Sequence, residues 1–532
     1  MKEDQIVFPA KKHNPHRWKI VLALLACIAI VVVVATEYAI RHVEPILRAR
    51  VVQTLATRFN SQVKLGEFHA SVYRGLDVEG KDLSLRSNLD PSLPPQISVA
   101  SFSFHTELVD LFRSPMHVGS VEVHGLVVKV PSKSERAAMP KSKKGHGKLK
   151  IVIDRIFCDD ALLVLLTDDP KKLPMHFLIH ALTLKRIGSD QPMHFTASLV
   201  NPRPVGNIAA VGNFGPWHTE QPGNTPVDGN YSFTNADLST TKGIAGTLSS
   251  QGKFYGKLDT IAVDGATDTP NFSIDASGHK VDLRTQFHAI VNGTNGNTYL
   301  QPVHAHFLHT DLTATGYVER AQTQKGHNIH LNVTIDHGRV EDLLLMGVKT
   351  TPPVMSGAVQ LQTRFDLPAG KESVSRKLRL TGTYTAHDVS FTNLHIQKRV
   401  DELSLRSQGR VEEARRLSLE EVSQQDPLPK IPASIHGKFS LADRKLTLPQ
   451  LVCNVPGTEI DLAGTYTLDG RQFDFAGTAR MDASVSSMVG GWKGALLRPV
   501  DPLFARHGVS TEIPIRITGT ESKPHIELKF RN

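Results

Sequence analysis

Histidines are the residues whose number first suggests chemistry, since the 532-residue chain has 25 of them. None falls in an H-E-x-x-H pattern and none accompanies paired cysteines, which are the spacings typical of zinc sites. In "HAHFLH" the two-residue period of a strand places His304 and His306 on one face, with His309 nearby. Two such histidines could share a metal ion, but the sequence offers no third ligand beside them. An exposed strand face is the simpler interpretation, and we predict no metal site.

Carboxylate pairs and nucleophile motifs give no stronger signal. Asp159/Asp160 and Glu412/Glu413 are sequence neighbours in expected turns or exposed helix, where such pairs are usually solvated. The chain has no G-x-S-x-G elbow, no Walker A loop and no G-x-G-x-x-G loop. We therefore predict no catalytic residue, no cofactor and no enzymatic activity, although a dispersed active site would escape a reading of one sequence.

Composition excludes several classes of protein. The hydrophobic fraction of 40% is too low for a multi-spanning membrane protein, and the net charge of +9 is modest for this length. Much of that charge lies in the N-terminal tail and in one loop, so we predict no nucleic-acid partner. Three cysteines (Cys27, Cys158 and Cys453) are too few for a disulfide framework, although one Cys158–Cys453 bridge would be allowed in an oxidising compartment.

One segment near the N-terminus has the length and composition of a membrane span. "IVLALLACIAIVVVVA" is uninterrupted apolar sequence between two aromatic residues, whose separation along a helix is roughly 30 Å. Basic residues precede it, which predicts a cytoplasmic N-terminus. A cleaved signal peptide and a lipoprotein site at "LLAC" are weaker alternatives. The predicted anchor residues are Trp18, Ile20, Leu22, Leu24, Leu25, Ile28, Val32 and Tyr38.

An amphipathic helix is predicted directly after this segment. Val43, Leu47, Val51, Leu55 and Phe59 recur every four residues, which is one face of a helix. This stripe either packs on the start of the next domain or lies partly on the membrane surface.

The rest of the chain alternates apolar and polar residues, which predicts a mainly β fold with antiparallel strands. Two hairpins are indicated, one around "ADRK" and one around "GTYTLDGRQ", and a loose phrase of glycine followed by an aromatic residue recurs at 382–386, 437–441 and 464–468. Helices are predicted only near 340–347 and 484–500. The polar, basic stretch 131–150 is predicted to be a flexible loop, with binding to anionic lipid as the alternative.

The order of these segments resembles the AsmA-like family of bacterial envelope proteins. The resemblance rests on "LATRFNSQVKLGEFHASVYRGLDVEGKDLSL" through "VGSVEVHGLVVKV", on "GAVQLQTRFDLPAGKESV" with the segment after it, and on "VDPLFARHGVSTEIPIRITGTESKPHIEL". It leaves 150–270 unclaimed. It implies an elongated antiparallel sheet curled into an open groove, a bacterial inner-membrane anchor and a periplasmic body. The expected domains are a cytoplasmic tail (1–17), the anchor (18–40), an N-terminal region (41–130), the basic loop (131–150), a β-groove body (151–483) and closing elements (484–532).

The function implied by the resemblance is to carry or shield phospholipid acyl chains between the inner and outer membranes, with the membrane, phospholipid and other envelope proteins as partners. An anchored scaffold for outer-membrane protein assembly with a dry β core is the alternative, and an envelope enzyme is a weaker one. Candidate groove-lining residues are Leu83, Leu85, Phe102, Phe104, Phe439, Leu441, Ile460, Leu462, Phe473, Phe475, Ile513, Ile515 and Ile517. The sequence does not decide which strand face is inward.

Overall fold

The chain forms two compact units, Met1–Met193 and His194–Asn532. A computed structural model describes residues 30–31, 44–53, 55–56, 61–72, 75–87, 95–107, 116–130, 151–165, 175–188, 191–216, 222–293, 295–321, 326–419, 431–469, 471–505, 511–520 and 523–528. Most of these residues lie in strands, as the alternating sequence predicts. The division between the units falls within the segment 151–483, which the sequence analysis treats as one body.

The first unit is a sheet preceded by a helix, α1, over residues 44–53. Strands β1 and β2 pair antiparallel with successive halves of β3, β3 pairs with β4, and β4 pairs with β5 and β6. Strands β7 and β8 form a long antiparallel pair. The strands are β1 (Ser61–Lys64), β2 (Phe68–Val72), β3 (Leu76–Ser87), β4 (Ile97–Thr106), β5 (Met116–His124), β6 (Val127–Val130), β7 (Ile151–Leu165) and β8 (Met175–Ile187).

Two pairings depart from the antiparallel expectation, because β7 runs parallel to both β5 and β6. Ile151 at the start of β7 is opposite Met116, and Leu165 at its end is opposite Val130. Parallel neighbours need a long crossover connection, and in the sequence the segment 131–150 separates β6 from β7. That segment, which we predict to be a flexible loop, lies outside the described residues.

The second unit contains the longer series of strands. Strand β9 pairs with β10, and from β10 to β26 each strand pairs antiparallel with the next, except that short β12 pairs with β14 while β11 pairs with β13. The strands are β9 (Met193–Pro202), β10 (Val205–Phe214), β11 (Pro226–Asp237), β12 (Ile244–Ala245), β13 (Thr247–Lys257), β14 (Thr260–Ile274), β15 (Val281–Val291), β16 (Thr298–Phe307), β17 (Thr310–Arg320), β18 (His327–Arg339), β19 (Met355–Leu367), β20 (Arg379–Phe391), β21 (Ala433–Ala442), β22 (Lys445–Val455), β23 (Thr458–Thr467), β24 (Gln472–Met481), β25 (Thr511–Thr520) and β26 (Lys523–Leu528).

Both predicted hairpins are confirmed, as β21–β22 and β23–β24. The first turns on Asp443 and Arg444, which have φ values of 48° and 62°. Positive φ at both central residues is the signature of a tight turn whose twist matches that of the flanking strands. Such short turns keep successive strands adjacent, so the alternating faces of many strands merge into two continuous surfaces.

Short helices occur between strands of the second unit. The predictions near 340–347 and 484–500 are confirmed, the latter as two short helices separated at Gly490. The helices Leu394–Ser407 and Val411–Leu419 were not predicted. The helices are α2 (Val340–Gly347), α3 (Val374–Lys377), α4 (Leu394–Ser407), α5 (Val411–Leu419), α6 (Val485–Val489), α7 (Gly491–Leu497) and α8 (Asp501–Phe504).

Helix α4 lacks a purely apolar stripe because much of its buried side is polar. Gln397, Asp401 and Ser404 are buried on it. The Gln397 side-chain oxygen accepts the Phe391 backbone N–H at 2.7 Å, and the Asp401 carboxylate accepts the Ile431 N–H at 3.0 Å. These bonds satisfy backbone groups at strand ends, so the helix is fixed to the edge of the sheet by hydrogen bonds as well as by packing.

Candidate functional site

The candidate site is one face of the sheet in the second unit. Directly paired residues of an antiparallel ladder project to the same face. The ladder joins Leu462 to Gly477 and Gly477 to Ile515, while Phe475 is opposite Ile517. The predicted lining residues of this unit therefore share one face: Phe439, Leu441, Ile460, Leu462, Phe473, Phe475, Ile513, Ile515 and Ile517.

The same face continues back to β10, where the sequence analysis had named no lining residue. Leu380 is directly opposite Phe365, which is opposite Leu331. Farther along the sheet, Val303 is opposite Phe287, which is opposite Gly265. The alternation that marks β24 and β25 is also present in "VDLRTQFHAIV" of β15, so the signal existed in the sequence. We call the whole surface from β10 to β26 the apolar face.

The opposite face is polar. Arg516 and Asp474 are diagonal neighbours on it, in adjacent strands, with Arg516 Nη2 3.3 Å from Asp474 Oδ2. His288 and Asp264 are also opposite each other, with Nδ1 and Oδ1 2.7 Å apart. The charged side chains on this face are exposed to water. Apolar surface of the sheet is therefore buried mainly on the other face.

Helices cover one end of the apolar face. Val389 is fully buried there with Val359 and Ala433, and Val400 of α4 and Leu343 of α2 pack against them. A second cluster contains Ala479, Met481 and Ile513, with Leu403, Met488 and Phe504 from the helices around it. These strand ends form an ordinary packed core.

Most large side chains on the rest of the apolar face are only partly shielded. Phe254, Phe287, Phe439, Phe475 and Ile517 are all partly exposed, although they occupy the face that alternation marks as inward. By contrast, Leu462 and Ile513 are each 8% exposed. We call the partly shielded stretch the uncovered region and the helix-packed strand ends the covered region.

Aromatic rings on the apolar face lie over glycines of the neighbouring strand. In β20 and β21, Phe439 is opposite Gly382 and Tyr384 is opposite Gly437. A Cβ at Gly382 would be 2.9 Å from the Phe439 ring, and one at Gly437 would be 2.9 Å from the Tyr384 hydroxyl. The recurring glycine–aromatic phrase of the sequence is therefore a packing device. We call this set the second frame.

An equivalent arrangement, the first frame, occurs in β11 and β13. Phe254 is opposite Gly229, and Tyr231 is opposite Gly252. A Cβ at Gly229 would be 2.7 Å from the Phe254 ring, and one at Gly252 would be 3.0 Å from the Tyr231 ring. Because glycine has no side chain, each ring fills the space above the glycine of the opposite strand. At these positions the surface of the face is therefore formed by aromatic rings that lie along the sheet.

The two tyrosines differ in environment. Tyr231 Oη lies 3.1 Å from Ser250 Oγ. Burial, with a smaller contribution from nearby Cys453, raises the pKa of Tyr384 to about 12. Burial also raises the pKa of the Cys453 thiol. In the second frame, burial thus disfavours the ionised form of the tyrosine hydroxyl.

The predicted lining residues of the first unit lie in a packed cluster. Leu83 and Leu85 are 9% and 3% exposed, and Phe102 and Phe104 pack against the same cluster. Leu47, Val51 and Leu55 pack there too, which confirms for these three residues that the stripe packs on the next domain. Because this surface is already covered, we leave its residues out of the lipid-contacting set proposed below.

His304 and His306 lie on the polar face of the second unit. A cavity of about 820 Å³ opens there between β14 and β18, and both histidines are among its lining residues. His306 Nδ1 is 2.7 Å from Asp311 Oδ1, and His304 Nδ1 is 3.2 Å from Thr313 Oγ1. The His309 N–H donates to Asp342 at 2.9 Å. Across the described ranges, no three metal-ligating side chains are close enough to hold an ion.

The remaining chemical candidates have simple partners or none. Asp159 Oδ1 lies 2.5 Å from His124 Nδ1, and Glu413 pairs with Arg410. Cys158 and Cys453 are free thiols, so the bridge that the sequence allows is not formed.

The predicted anchor residues, from Trp18 to Tyr38, lie outside the described residues. Within the described ranges, no helix combines the length and the hydropathy needed to cross a bilayer.

Comparison with known proteins gave no match. No protein-family model, no curated protein and no solved structure is similar to this chain at a significant level. Function has to be argued from the surface itself.

Proposed function

We propose that this chain is a membrane-anchored envelope protein that carries or shields phospholipid acyl chains on the uncovered region of its apolar face. The observation that supports the proposal is the combination of a continuous apolar face with large side chains that stay partly exposed. Contiguous apolar surface of this kind is typical of interaction sites.

The chemistry of an acyl chain suits such a surface. Each methylene removed from water contributes about 0.8 kcal/mol, so a chain laid across several partly exposed rings regains much of its stabilisation in a bilayer. The carried molecule needs no bond made or broken, and the proposed activity accordingly uses no catalytic group.

The proposal includes the features that the AsmA-like resemblance implies. The segment 18–40 would anchor the chain in the bacterial inner membrane, and the sheet would curl into a groove whose inner wall is the apolar face. The body would then lie in the periplasm, where it would contact phospholipid and other envelope proteins.

The proposal is tested by photo-crosslinking from matched positions on the two faces. A photoreactive amino acid replaces Phe439, Phe475 or Ile515 on the apolar face, and Lys438, Asp474 or Arg516 on the polar face, in full-length protein made in cells. Mass spectrometry should find phospholipid adducts from the first set only. No lipid from either set would overturn the proposal, and equal labelling of both sets would mean non-specific association.

The alternative is an anchored scaffold whose apolar face is a dry core, and the packed clusters beneath α2 and α4 favour it for that end of the sheet. Native mass spectrometry separates the two functions. A scaffold leaves the membrane without lipid after detergent exchange, whereas a lipid carrier retains phospholipid in a defined ratio.

A further inference from the structure

The apolar face carries one group of hydroxyl side chains in the uncovered region. Ser250, Thr267 and Thr285 are consecutive partners across β13, β14 and β15. Tyr231 of the first frame reaches this row, since a Cβ at Gly265 would be 2.6 Å from its hydroxyl. We call these four residues the hydroxyl patch.

The hydroxyl patch is incompletely satisfied by its own hydrogen bonds. Tyr231 Oη and Ser250 Oγ are 3.1 Å apart, and Thr267 Oγ1 and Thr285 Oγ1 are 2.7 Å apart. A hydroxyl has one donor hydrogen and two acceptor positions. Each pair uses one hydrogen internally, so each retains a second O–H that can donate outward. All four residues are partly exposed, so a ligand can reach those hydrogens.

The surroundings of the patch indicate an uncharged ligand group. Its neighbours on the same face are Phe233, Phe254, Val263 and Phe287. The charged residues of these strands, such as Lys253 and Arg284, alternate onto the polar face. A charged head group would find no counter-charge here, whereas neutral acceptor oxygens would be matched by the retained hydrogens.

We propose that the hydroxyl patch binds the ester carbonyls of a glycerolipid, whose acyl chains then lie on the adjoining aromatic rings. This inference rests on the proposed function, because it assigns a place to one part of the lipid carried on the apolar face. Ester carbonyls are the neutral acceptors that directly adjoin acyl chains in such a lipid. The four hydroxyls therefore have a use that valine or alanine at the same positions would not provide.

The test compares a diester phospholipid with its diether analogue, which has the same head group and chain lengths but no carbonyl oxygens. Full-length protein is titrated with each fluorescent lipid. We expect the unmodified protein to bind the diester roughly three- to tenfold more tightly, as one or two hydrogen bonds predict. A Thr267→Val/Thr285→Val variant keeps only the outward O–H of the Tyr231–Ser250 pair, so its preference for the diester should be smaller than that of the unmodified protein, while its affinity for the diether is unchanged.

Thr363→Val is the matched control, because Thr363 is on the same face but its hydroxyl donates to the Thr381 carbonyl at 3.2 Å. It should keep the diester preference. Equal affinity of the unmodified protein for both lipids would overturn the inference while leaving the proposed function intact. Failure to bind either lipid would remove both. The comparison of lipids on unmodified protein needs no variant to fold.

Discussion

The two frames of the second unit have the same construction and different surroundings. In each, a tyrosine and a phenylalanine lie over glycines of the opposite strand. The first frame adjoins hydroxyl groups in the uncovered region, and its Tyr231 is paired with Ser250. The second frame adjoins the strand ends packed beneath helices, and its Tyr384 is near the partly buried thiol of Cys453.

This difference indicates that an aromatic ring packed over a glycine determines the shape of the face but not its polarity. The glycine and the ring together determine how closely the ring approaches the backbone and how flat the surface of the face is. Access of water or a ligand to that surface is determined by two other features. These are the side chains two residues along the strand and the helices over the strand ends. Covered and uncovered parts of one face should therefore respond differently to the same substitution.

The largest expected effect comes from a charge placed on the face in each region. Val389 is fully buried, so Val389→Asp should cost about 4 kcal/mol or more of unfolding free energy. Val263 is partly exposed in the uncovered region, so Val263→Asp should cost only about 1–2 kcal/mol. Urea unfolding of both variants measures this.

The same pair of variants discriminates between the two functions. If the apolar face carries lipid, Val263→Asp remains folded and loses bound phospholipid in native mass spectrometry. Equal and severe destabilisation by both substitutions would indicate one dry core and would favour the scaffold.

The next effect concerns the glycines, and here the two frames should behave alike. A Cβ at Gly382 or at Gly229 would press against the carbonyl oxygen of Gln362 or Val211, closer than real side chains approach. We expect Gly382→Ala and Gly229→Ala each to cost about 2 kcal/mol. Gly347→Ala is the control, because no heavy atom lies within 4 Å of its Cβ position. If thermal unfolding shows a loss of stability for only one of the two variants, the packing of the two frames is not equivalent.

The sequence predicted the strands and the shared face because alternation is a local signal. The ladder of β23, β24 and β25 places Leu462, Gly477 and Ile515 together as their phase requires. The positive φ of Asp82, 54°, marks an irregularity in β3 opposite the phase slip that the sequence shows near Ala100, and it keeps apolar residues on one side.

Non-local features could not be predicted in the same way. Helix α4 is fixed by hydrogen bonds from Gln397 and Asp401 to backbone groups of strand ends, which leave no apolar period in the sequence. The parallel pairing of β7 with β5 and β6 depends on contacts between segments that are distant in the sequence, and no local pattern of residues encodes such contacts. The hydroxyl patch requires four strands in register, and no single strand distinguishes Thr267 from a solvent-facing threonine.

A smaller effect is expected from the pH dependence of the second frame. The pKa of Tyr384, raised to about 12 by burial, exceeds its value of about 10 in an unfolded chain. The folded state holds this proton more tightly, so the contribution to stability is complete below pH 10 and is lost as the pH rises through 12. At pH 11 the loss should be about 1 kcal/mol.

Unfolding of the unmodified protein and of Tyr384→Phe at pH 9 and pH 11 measures this term as a difference, which cancels the other groups that titrate there. Tyr231→Phe at the same two pH values is the matched comparison from the first frame. If the stability difference between unmodified protein and Tyr384→Phe does not change with pH, then the Tyr384 hydroxyl is in contact with water.

The smallest effect is expected from the hydroxyl of Tyr231 at neutral pH. Tyr231→Phe removes the hydrogen bond to Ser250, but both residues are partly exposed, so water can replace the lost partner. The cost should therefore be about 0.5 kcal/mol in urea unfolding, below the full penalty of an unsatisfied buried group. A loss above about 2 kcal/mol would show that the hydroxyl is enclosed. Enclosed hydroxyls could not donate to a lipid carbonyl, so that result would also count against the hydroxyl patch as a binding site.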